Sequence, residues 1–326
     1  MNKVLRIGTR DSQLAVWQAT LVQEQLKNNG IATELVYMKS DGDVDLVTPL
    51  YEIGVQGIFT KTLDAALLSN RIDLAVHSMK DVPTQLAKGI QQAAVLERAS
   101  YKDILVLKNE LSDISDALGI VNGEWSMLNN ESLTIDHSRL TIATSSIRRK
   151  AQWLNRYPNH TLENLRGNVN TRLRKVSESN WDGAIFAAAG LERIGLRPEN
   201  SIELDWMLPA PAQGAIMIVC REDDHETKTA LGLLNDPATA LCTCIERDFL
   251  KTLLGGCATP ISALAEWKDG FVTFRGHILS VDGKEKMETS FHKAALQCGD
   301  LGRKAAEDLL ARGADKIVNA IRNAGA

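Results

Sequence analysis

Residues 4–38 read V-L-R-I-G-T-R-D-S-Q-L-A-V-W-Q-A-T-L-V-Q-E-Q-L-K-N-N-G-I-A-T-E-L-V-Y-M. We predict a buried strand over Val4–Gly8, a helix over Ser12–Asn28 and a second strand over Thr33–Met38. Polar residues that can cap a helix precede the predicted helix, and a glycine follows it. A strand, a helix and a strand in this order are typical of a parallel sheet covered by helices, so this stretch decides the fold class.

The same alternation continues as far as Cys220. Further strands are predicted over Ile72–His77, Ile104–Leu107, Leu140–Ala143, Ala184–Ala187 and Ala215–Cys220, and helices over Phe59–Ser69, Ile147–Arg156 and Val169–Glu178. Residues 111–138 are polar and weakly patterned, and we interpret them as a surface insertion.

The pattern changes after Pro237. A helix over Ala238–Leu253 is followed by a Gly255-Gly256 break, strands over Ile261–Glu266, Phe271–Leu279 and Lys286–His292, and two C-terminal helices. We therefore predict an α/β fold with two domains built on mainly parallel sheets and a small α+β C-terminal domain. The predicted boundaries are 1–98 with 215–234 for domain 1, 102–210 for domain 2 and 237–326 for domain 3.

Composition excludes several classes of protein. The 326 residues are 44% hydrophobic and 24% charged, which is ordinary for a globular chain. No apolar run reaches the roughly 20 residues needed to span a bilayer, and the first ten residues lack the apolar core of a secretory signal. Five cysteines, an odd number, predict a reducing cytoplasmic location. Cys242, Cys244 and Cys257 lack a C-x-x-C pair and a fourth ligand, so we predict no metal site.

The net charge of −4 hides an uneven distribution. Residues 141–177 contain eight basic side chains and the single acid Glu163, a net +7 that leaves −11 for the rest. Such a basic segment favours a polyanionic ligand, although charged residues on helices more often form a solvated face.

Two turns in the sequence resemble each other, I-G-T-R-D-S at 7–12 and I-A-T-S-S-I-R-R at 142–149. Each places hydroxyl and arginine side chains between a strand and a helix, where free N–H groups attract anions. The candidate anion ligands are Thr9, Arg10, Ser12, Thr144, Ser145, Ser146, Arg148 and Arg149. Alternatively, the hydroxyl groups only cap the helices. The segment L-R-G-N-V-N-T-R at 165–172 adds Arg166 and Arg172, and Arg193 follows another strand end.

Three further motifs carry chemistry. The motif H-S-M-K-D-V-P at 77–83 places Lys80 and Asp81 in a loop after a strand. A carboxylate at this position could bind a cationic group or take part in proton transfer. We expect His77 to be a satisfied packing histidine. L-L-G-G-C-A-T-P at 253–260 makes Cys257 a candidate nucleophile or attachment point, the alternative being a buried small hydrophobe. We interpret the segment Y-E-I-G-V-Q-G-I-F at 51–59 as a mobile lid or as an ordinary loop. Its glycine pattern is not that of a nucleotide-binding motif.

The order of these motifs resembles the porphobilinogen deaminase family, whose members are also called hydroxymethylbilane synthases. The resemblance runs from Arg6 to the C-terminal helices and rests on these motifs: R-I-G-T-R-x-S-x-L-A, G-x-F-x-K, H-S-M-K-D-V-P, T-S-S-x-R-R, L-R-G-N-V-x-T-R, A-x-A-G-L-x-R, P-A-x-A-Q-G-A and G-G-C. Within the lid, Gln56 stands where the family usually has lysine, and Glu52 lies nearby.

The resemblance implies a three-domain protein whose first two domains are arranged as in periplasmic binding proteins. It implies a dipyrromethane cofactor joined by a thioether to Cys257, and four porphobilinogen molecules deaminated and added head to tail. Asp81 would be the catalytic residue. The implied cofactor-binding residues are Cys257, Lys80, Asp81, Ser146, Arg148, Arg149, Arg172 and Gly190. The implied substrate-binding residues are Arg10, Ser12, Arg148, Arg149, Arg166, Arg172 and Arg193.

The family further implies a monomer that binds neither nucleic acid nor membrane. One alternative is a non-catalytic anion-binding protein of the same fold, which would need neither the G-G-C motif nor the Lys80-Asp81 pair. A nucleic-acid binder is a weaker alternative, because only Trp153 and Tyr157 are aromatic in the basic segment.

Overall fold

The computed structural model describes residues 3–39, 60–121, 124–125, 139–253 and 259–324. Its strands are β1 (Leu5–Arg10), β2 (Thr33–Met38), β3 (Leu74–Ser78), β4 (Ile90–Val95), β5 (Asp103–Leu107), β6 (Ile120–Val121), β7 (Glu124–Trp125), β8 (Thr141–Ala143), β9 (Thr161–Glu163), β10 (Gly183–Ala187), β11 (Ser201–Glu203), β12 (Ile216–Arg221), β13 (Ile261–Lys268), β14 (Phe271–Leu279) and β15 (Lys286–Ala294). Its α-helices are α1 (Gln13–Asn28), α2 (Lys61–Leu68), α3 (Ser115–Leu118), α4 (Ile147–Arg156), α5 (Val169–Glu178), α6 (Ala188–Glu192), α7 (His225–Gly232), α8 (Pro237–Leu253), α9 (Leu301–Leu309) and α10 (Asp315–Ala324).

The first sheet has the strand order β2-β1-β3-β12-β4. β1 is parallel to β2 and β3, whereas β12 is antiparallel to both of its neighbours, so four strands share one direction. Helix α1 covers one face through Ala19, Val22 and Leu26. Helix α2 covers the other face, where its residues pack against Ala75 and Val219. Burial of both faces explains why these strands are almost continuously apolar.

The second sheet repeats this plan in the order β11-β5-β10-β8-β9. β10, β8 and β9 are parallel, and β5 is the antiparallel strand. In each sheet the antiparallel strand is the one that the chain forms on arriving from the other sheet. β5 comes directly after β4 of the first sheet, and β12 comes directly after β11 of the second sheet. Two crossovers therefore join the two sheets.

The two crossovers lie against each other and against the third unit. Gly214 adopts φ +88°, and a Cβ there would come within 2.6 Å of the Ala99 carbonyl oxygen, so only glycine fits. The buried Glu246 carboxylate of α8 accepts hydrogen bonds from both Nη atoms of Arg98, at 2.6 and 3.1 Å, and from the Ala212 amide at 2.6 Å. It also accepts from Ala265 N at 2.7 Å. One carboxylate thus ties both crossovers to the third unit.

The third unit is an antiparallel sheet in the order β13-β14-β15, packed against α8, α9 and α10. Phe249 and Phe274 meet edge to face with ring centroids 5.3 Å apart. The predicted fold class, two mainly parallel sheets plus a small α+β unit, is confirmed. The domain boundaries predicted above stay a prediction.

Some sequence predictions were incomplete, and others lie outside the described residues. β4, β9 and β11 were missed, because β9 and β11 have only three residues and β4 contains the polar pair Gln91-Gln92. Residues 40–59, with Glu52, Gln56 and the lid, lie outside the described residues, as do 122–123, 126–138 and Cys257. No helix in the described ranges is long and apolar enough to cross a membrane.

Candidate functional site

The Lys80-Asp81 turn is held at the C-terminal end of β3. Met79, only 1% exposed, begins the 3-10 turn Met79–Asp81, and its amide donates to the carbonyl of Ala215 at 3.0 Å. Arg247 of α8 donates to the carbonyl oxygen of Val82 at 2.9 Å and to that of Pro83 at 2.6 Å. This anchoring leaves Lys80 half-buried and Asp81 exposed at the sheet edge, where ligands of α/β proteins bind.

Lys80 is linked through a buried glutamine to the second sheet. Its Nζ donates to Oε1 of Gln213 at 3.3 Å. Nε2 of Gln213 in turn donates to Oδ1 of Asp103 at 2.9 Å and to the carbonyl of Tyr101 at 2.8 Å. Burial lowers the pKa of Lys80 to about 8, and Asp81 opposes this effect.

Asp103, the first residue of β5, is the centre of a buried ionic cluster. Its Oδ2 accepts from Nη2 of Arg148 at 2.7 Å, and its Oδ1 accepts from Nε and Nη2 of Arg149 at 3.1 and 2.7 Å. The three side chains are 8% exposed or less. Burial would raise the pKa of Asp103, but Arg148 and Arg149 outweigh it and hold that pKa well below its usual range. Asp103 is therefore ionised at neutral pH.

Sequence reasoning missed Asp103 and assigned Arg148 and Arg149 to ligand carboxylates alone. In the structure the two arginines also bind main-chain carbonyls, Arg148 that of Leu208 at 2.7 Å and Arg149 that of Ile185 at 2.9 Å. Within the described residues the buried Nε of Arg148 has no hydrogen-bond partner. The one local signal for Asp103 was its position as a lone acid at the start of an apolar strand.

Arg166 and Arg172 lie on the loop and helix that follow β9. Gly167 has φ +111°, and a Cβ there would lie 2.7 Å from Thr171, so the turn requires glycine. Nε of Arg172 donates to the Gly167 carbonyl at 2.7 Å. Burial, together with the nearby charges of Arg149 and Arg166, lowers the pKa of Arg172 to about 10. These guanidinium groups repel one another, and an anion placed among them would relieve the repulsion.

The two similar turns differ in how their hydroxyl groups are used. Ser146 caps α4, with its Oγ accepting from Arg149 N at 3.5 Å. Ser12 occupies the N-cap position of α1, but its side chain makes no capping hydrogen bond. The capping alternative therefore applies to Ser146 and not to Ser12.

Arg10 ends β1 on the same edge of the first sheet as His77. Burial, with Arg10 nearby, lowers the pKa of His77 to about 4, so the ring is neutral at pH 7. Its buried Nε2 has no hydrogen-bond partner within the described part of the chain. The prediction that His77 is a satisfied packing histidine is wrong in this respect.

Arg193 and Gly190 connect the second sheet to α1. Nη2 of Arg193 donates to the Gly214 carbonyl at 2.7 Å, and its guanidinium lies 5.7 Å from the centre of the Trp17 ring. Burial lowers the pKa of Arg193 to about 10. Gly190 lies beside the same helix, because a Cβ atom added to it would lie 3.8 Å from the side chain of Leu14 in α1.

The candidate residues thus gather where the two sheets meet. Seven of them are cationic, namely Arg10, Lys80, Arg148, Arg149, Arg166, Arg172 and Arg193, and the carboxylates of Asp81 and Asp103 lie among them. In the described ranges, no group of three or more His, Cys, Asp or Glu side chains could hold a metal ion. Fold and site define a two-sheet α/β protein with a cationic cluster where the sheets meet and an accessible carboxylate beside it.

Comparison with known proteins narrows this class. Residues 5–229 match the family model described as "Porphobilinogen deaminase, dipyromethane cofactor binding domain", and residues 240–311 match "Porphobilinogen deaminase, C-terminal domain". The porphobilinogen deaminase of Chlorobium phaeobacteroides is 38% identical over 99% of both chains. That of Acidithiobacillus ferrooxidans is 39% identical over 98% of this chain and 99% of its own. The chain belongs to the porphobilinogen deaminase family.

The solved structures that match this chain are much more distant in sequence. A nutrient-binding protein from Burkholderia cenocepacia bound to methionine matches 70% of this chain and 90% of its own with a TM-score of 0.39 and 16% identity. An ancestral cationic amino acid solute-binding protein matches 71% of this chain and 87% of its own with a TM-score of 0.42 and 14% identity.

Proposed function

We propose that this chain is a hydroxymethylbilane synthase, a transferase that deaminates four porphobilinogen molecules and joins them head to tail on a dipyrromethane cofactor. The observation that carries the proposal is the joining, through Gln213, of the Lys80-Asp81 turn to the buried Asp103–Arg148–Arg149 cluster. Each pyrrole of the substrate carries two carboxylates, so the growing chain is a polyanion that requires such a cationic site.

The residues present fit a dipyrromethane cofactor. Among the residues that the structure describes, Nε of Arg148 has no partner, and Arg149, Arg166 and Arg172 repel one another; both features favour a bound carboxylate. Lys80, Asp81, Ser146, Arg148, Arg149, Arg172 and Gly190 would hold the cofactor, and Cys257 would carry it through a thioether. When bound, the cofactor supplies the nucleophilic pyrrole carbon to which the first substrate unit is joined.

Asp81 would stabilise the charge that develops on the substrate. When ammonia leaves, the carbon–nitrogen bond breaks and positive charge spreads onto the pyrrole nitrogen. A fixed carboxylate beside that N–H stabilises the cation, and the same interaction serves the coupling step, in which a carbon–carbon bond forms and a proton is lost. Asp81 is exposed at the edge of the sheet, so a substrate can reach it.

Arg10, Ser12, Arg148, Arg149, Arg166, Arg172 and Arg193 would bind the acetate and propionate groups of the substrate. A guanidinium group matches a carboxylate with two parallel hydrogen bonds. Ser12 supports this role because its hydroxyl group is not used to cap α1. As further parts of the proposal, the chain works as a cytoplasmic monomer that binds neither nucleic acid nor membrane, and it is divided into domains at 1–98 with 215–234, 102–210 and 237–326.

Product stoichiometry tests the proposed function. Purified protein incubated with porphobilinogen should release four molecules of ammonia and one linear tetrapyrrole for every four substrate molecules consumed. Ammonia is measured enzymatically and the tetrapyrrole by chromatography with mass detection. Binding of porphobilinogen without ammonia release would instead identify a non-catalytic anion-binding protein.

The lowered pKa of Lys80 gives a second test. In Cys257→Ser, which cannot form the thioether, Lys80 should lose its proton with a midpoint near pH 8, because burial disfavours the charged form. Its reaction with trace acetic anhydride should rise through that midpoint, as measured by peptide mass spectrometry, with exposed Lys316 as the reference for reagent activity. Wild-type protein should be labelled less, because the cofactor carboxylates would pair with Lys80. A midpoint above pH 10 would contradict the burial argument.

A further inference from the structure

A second cleft lies between the α4 side of the second sheet and the third unit. It has a volume of about 850 Å³, within the range typical of small-molecule sites. Gln152, Arg156 and Trp206 line one wall, and His277 and Lys286 line the opposite wall. None of these residues belongs to the site proposed above for the cofactor and substrate.

His277 is the buried polar group of this cleft. It lies on β14 opposite Ser262 of β13 and Glu288 of β15 and is 6% exposed. Burial, together with Lys286 and Arg148, lowers its pKa to about 3, so the ring is neutral and has one donor and one acceptor nitrogen. Its buried Nε2 has no hydrogen-bond partner in the described residues. Such a group is rare in native proteins, and a polar ligand bound in the cleft would satisfy it.

Cationic side chains exceed carboxylates around the same cleft. Arg156, Arg275, Lys286 and Arg312 line it, against only Glu288 and Asp308. The Arg275 and Arg312 side chains are about half exposed, at 52 and 47%, and pair with Glu266 at 3.4 Å and Asp308 at 3.5 Å, so a bound anion would share these guanidinium groups with two partly exposed carboxylates. The excess of positive charge favours an anion.

The cleft also has aromatic walls. The guanidinium of Arg156 lies 5.0 Å from the centre of the Trp206 ring, so an aromatic ring and a cation together form one wall. Phe291 contributes to the other wall. Flat aromatic and guanidinium surfaces favour a planar ring over a flexible chain.

We infer that this cleft is a second binding site, specific for a small aromatic polycarboxylate, with His277 as its buried polar contact and Arg156, Arg275, Lys286 and Arg312 as its cations. It shares a wall with the first site, because Gln152 donates to the Leu208 carbonyl at 2.9 Å and Arg148 donates to the same oxygen at 2.7 Å. The inference does not depend on catalysis, since binding alone defines the site.

Calorimetric titration of the purified holoenzyme with benzene-1,3,5-tricarboxylate tests this site. The double variant Arg275→Gln/Lys286→Gln should weaken binding at the cleft about tenfold, because it removes two partly exposed charge contacts. The control Lys268→Gln/Lys316→Gln removes the same charge from exposed positions of the third unit outside the cleft and should change the affinity less than about twofold. His277→Phe, checked for its thermal stability, should also weaken binding.

Binding of the probe at the catalytic arginines is measured separately, as competitive inhibition of porphobilinogen consumption. The inhibition constant should be the same in the Arg275→Gln/Lys286→Gln variant as in the wild type. Propane-1,2,3-tricarboxylate, which has the same charge without a ring, should bind the cleft more weakly than the aromatic probe. The inference is overturned if the cleft variant and the control bind equally, or if all binding is competitive with porphobilinogen. Equal affinity for the two probes would refute the aromatic specificity.

Discussion

Asp103→Ala is expected to lower the free energy of unfolding by about 3–5 kcal/mol, the cost of leaving buried charges without their partner. Asp103 is fully buried and binds both Arg148 and Arg149, which are themselves buried and cannot recover water. The depressed pKa of Asp103 means that this stabilisation is complete above about pH 4 and declines as the pH falls further. Urea unfolding at pH 7 followed by circular dichroism measures the change.

Asp205→Ala is the matched control for this substitution. Asp205 pairs with Lys102 close to Asp103 in the fold, but its side chain is 59% exposed. Exposed ion pairs are worth about 0–1 kcal/mol, so the control should unfold nearly as the wild type does. If Asp103→Ala does not fold, Asp103→Asn keeps the side-chain shape and one acceptor oxygen and should show a smaller loss. Equal stability of the Asp103 and Asp205 variants would mean that the buried cluster does not stabilise the fold.

Asp81→Asn is expected to reduce turnover of porphobilinogen by about 10²–10³-fold, the usual cost of losing one electrostatic contact to the transition state. Asparagine keeps the size of the side chain but cannot balance the positive charge that forms on the pyrrole nitrogen. Because Asp81 is exposed, the free energy of unfolding should change by less than about 0.5 kcal/mol. Turnover is counted per molecule that carries the cofactor, so that an effect on cofactor assembly is not mistaken for one on catalysis.

Asp223→Asn provides the corresponding control, since Asp223 is 88% exposed and lies outside the site. It should react at the wild-type rate. Asp81→Glu keeps the charge at a different reach and should recover part of the activity that Asp81→Asn loses. A rate for Asp81→Asn within about twofold of the wild type would remove Asp81 from the mechanism.

Local signals in the sequence predicted several elements to the residue. The helices Ile147–Arg156 and Val169–Glu178 begin after Ser146 and Asn168, and both of these side chains accept the capping hydrogen bond that their sequence positions favour. The strand Phe271–Leu279 was likewise predicted at both ends. Such features depend on residues only a few positions apart.

Features that depend on distant pairing could not be predicted in this way. Asp103 meets Arg149 only because β5 pairs with β10, which carries Ile185 beside them. Gln213 lies in the motif P-A-x-A-Q-G-A, yet the two residues that it bridges, Lys80 and Asp103, each stand more than 100 residues earlier in the chain. His77 Nε2 has no hydrogen-bond partner in the described ranges, and this too depends on tertiary structure, because the residues next to His77 in the sequence do not reveal it.

The intact mass of freshly purified protein is the most direct test of the central claim that pyrroles are assembled on a covalent dipyrromethane. The wild-type chain should exceed its sequence mass by two linked pyrrole units, and brief exposure to porphobilinogen should add further single units. Cys257→Ser should show the unmodified mass and no turnover. An unmodified mass in fully active wild-type protein would contradict the account.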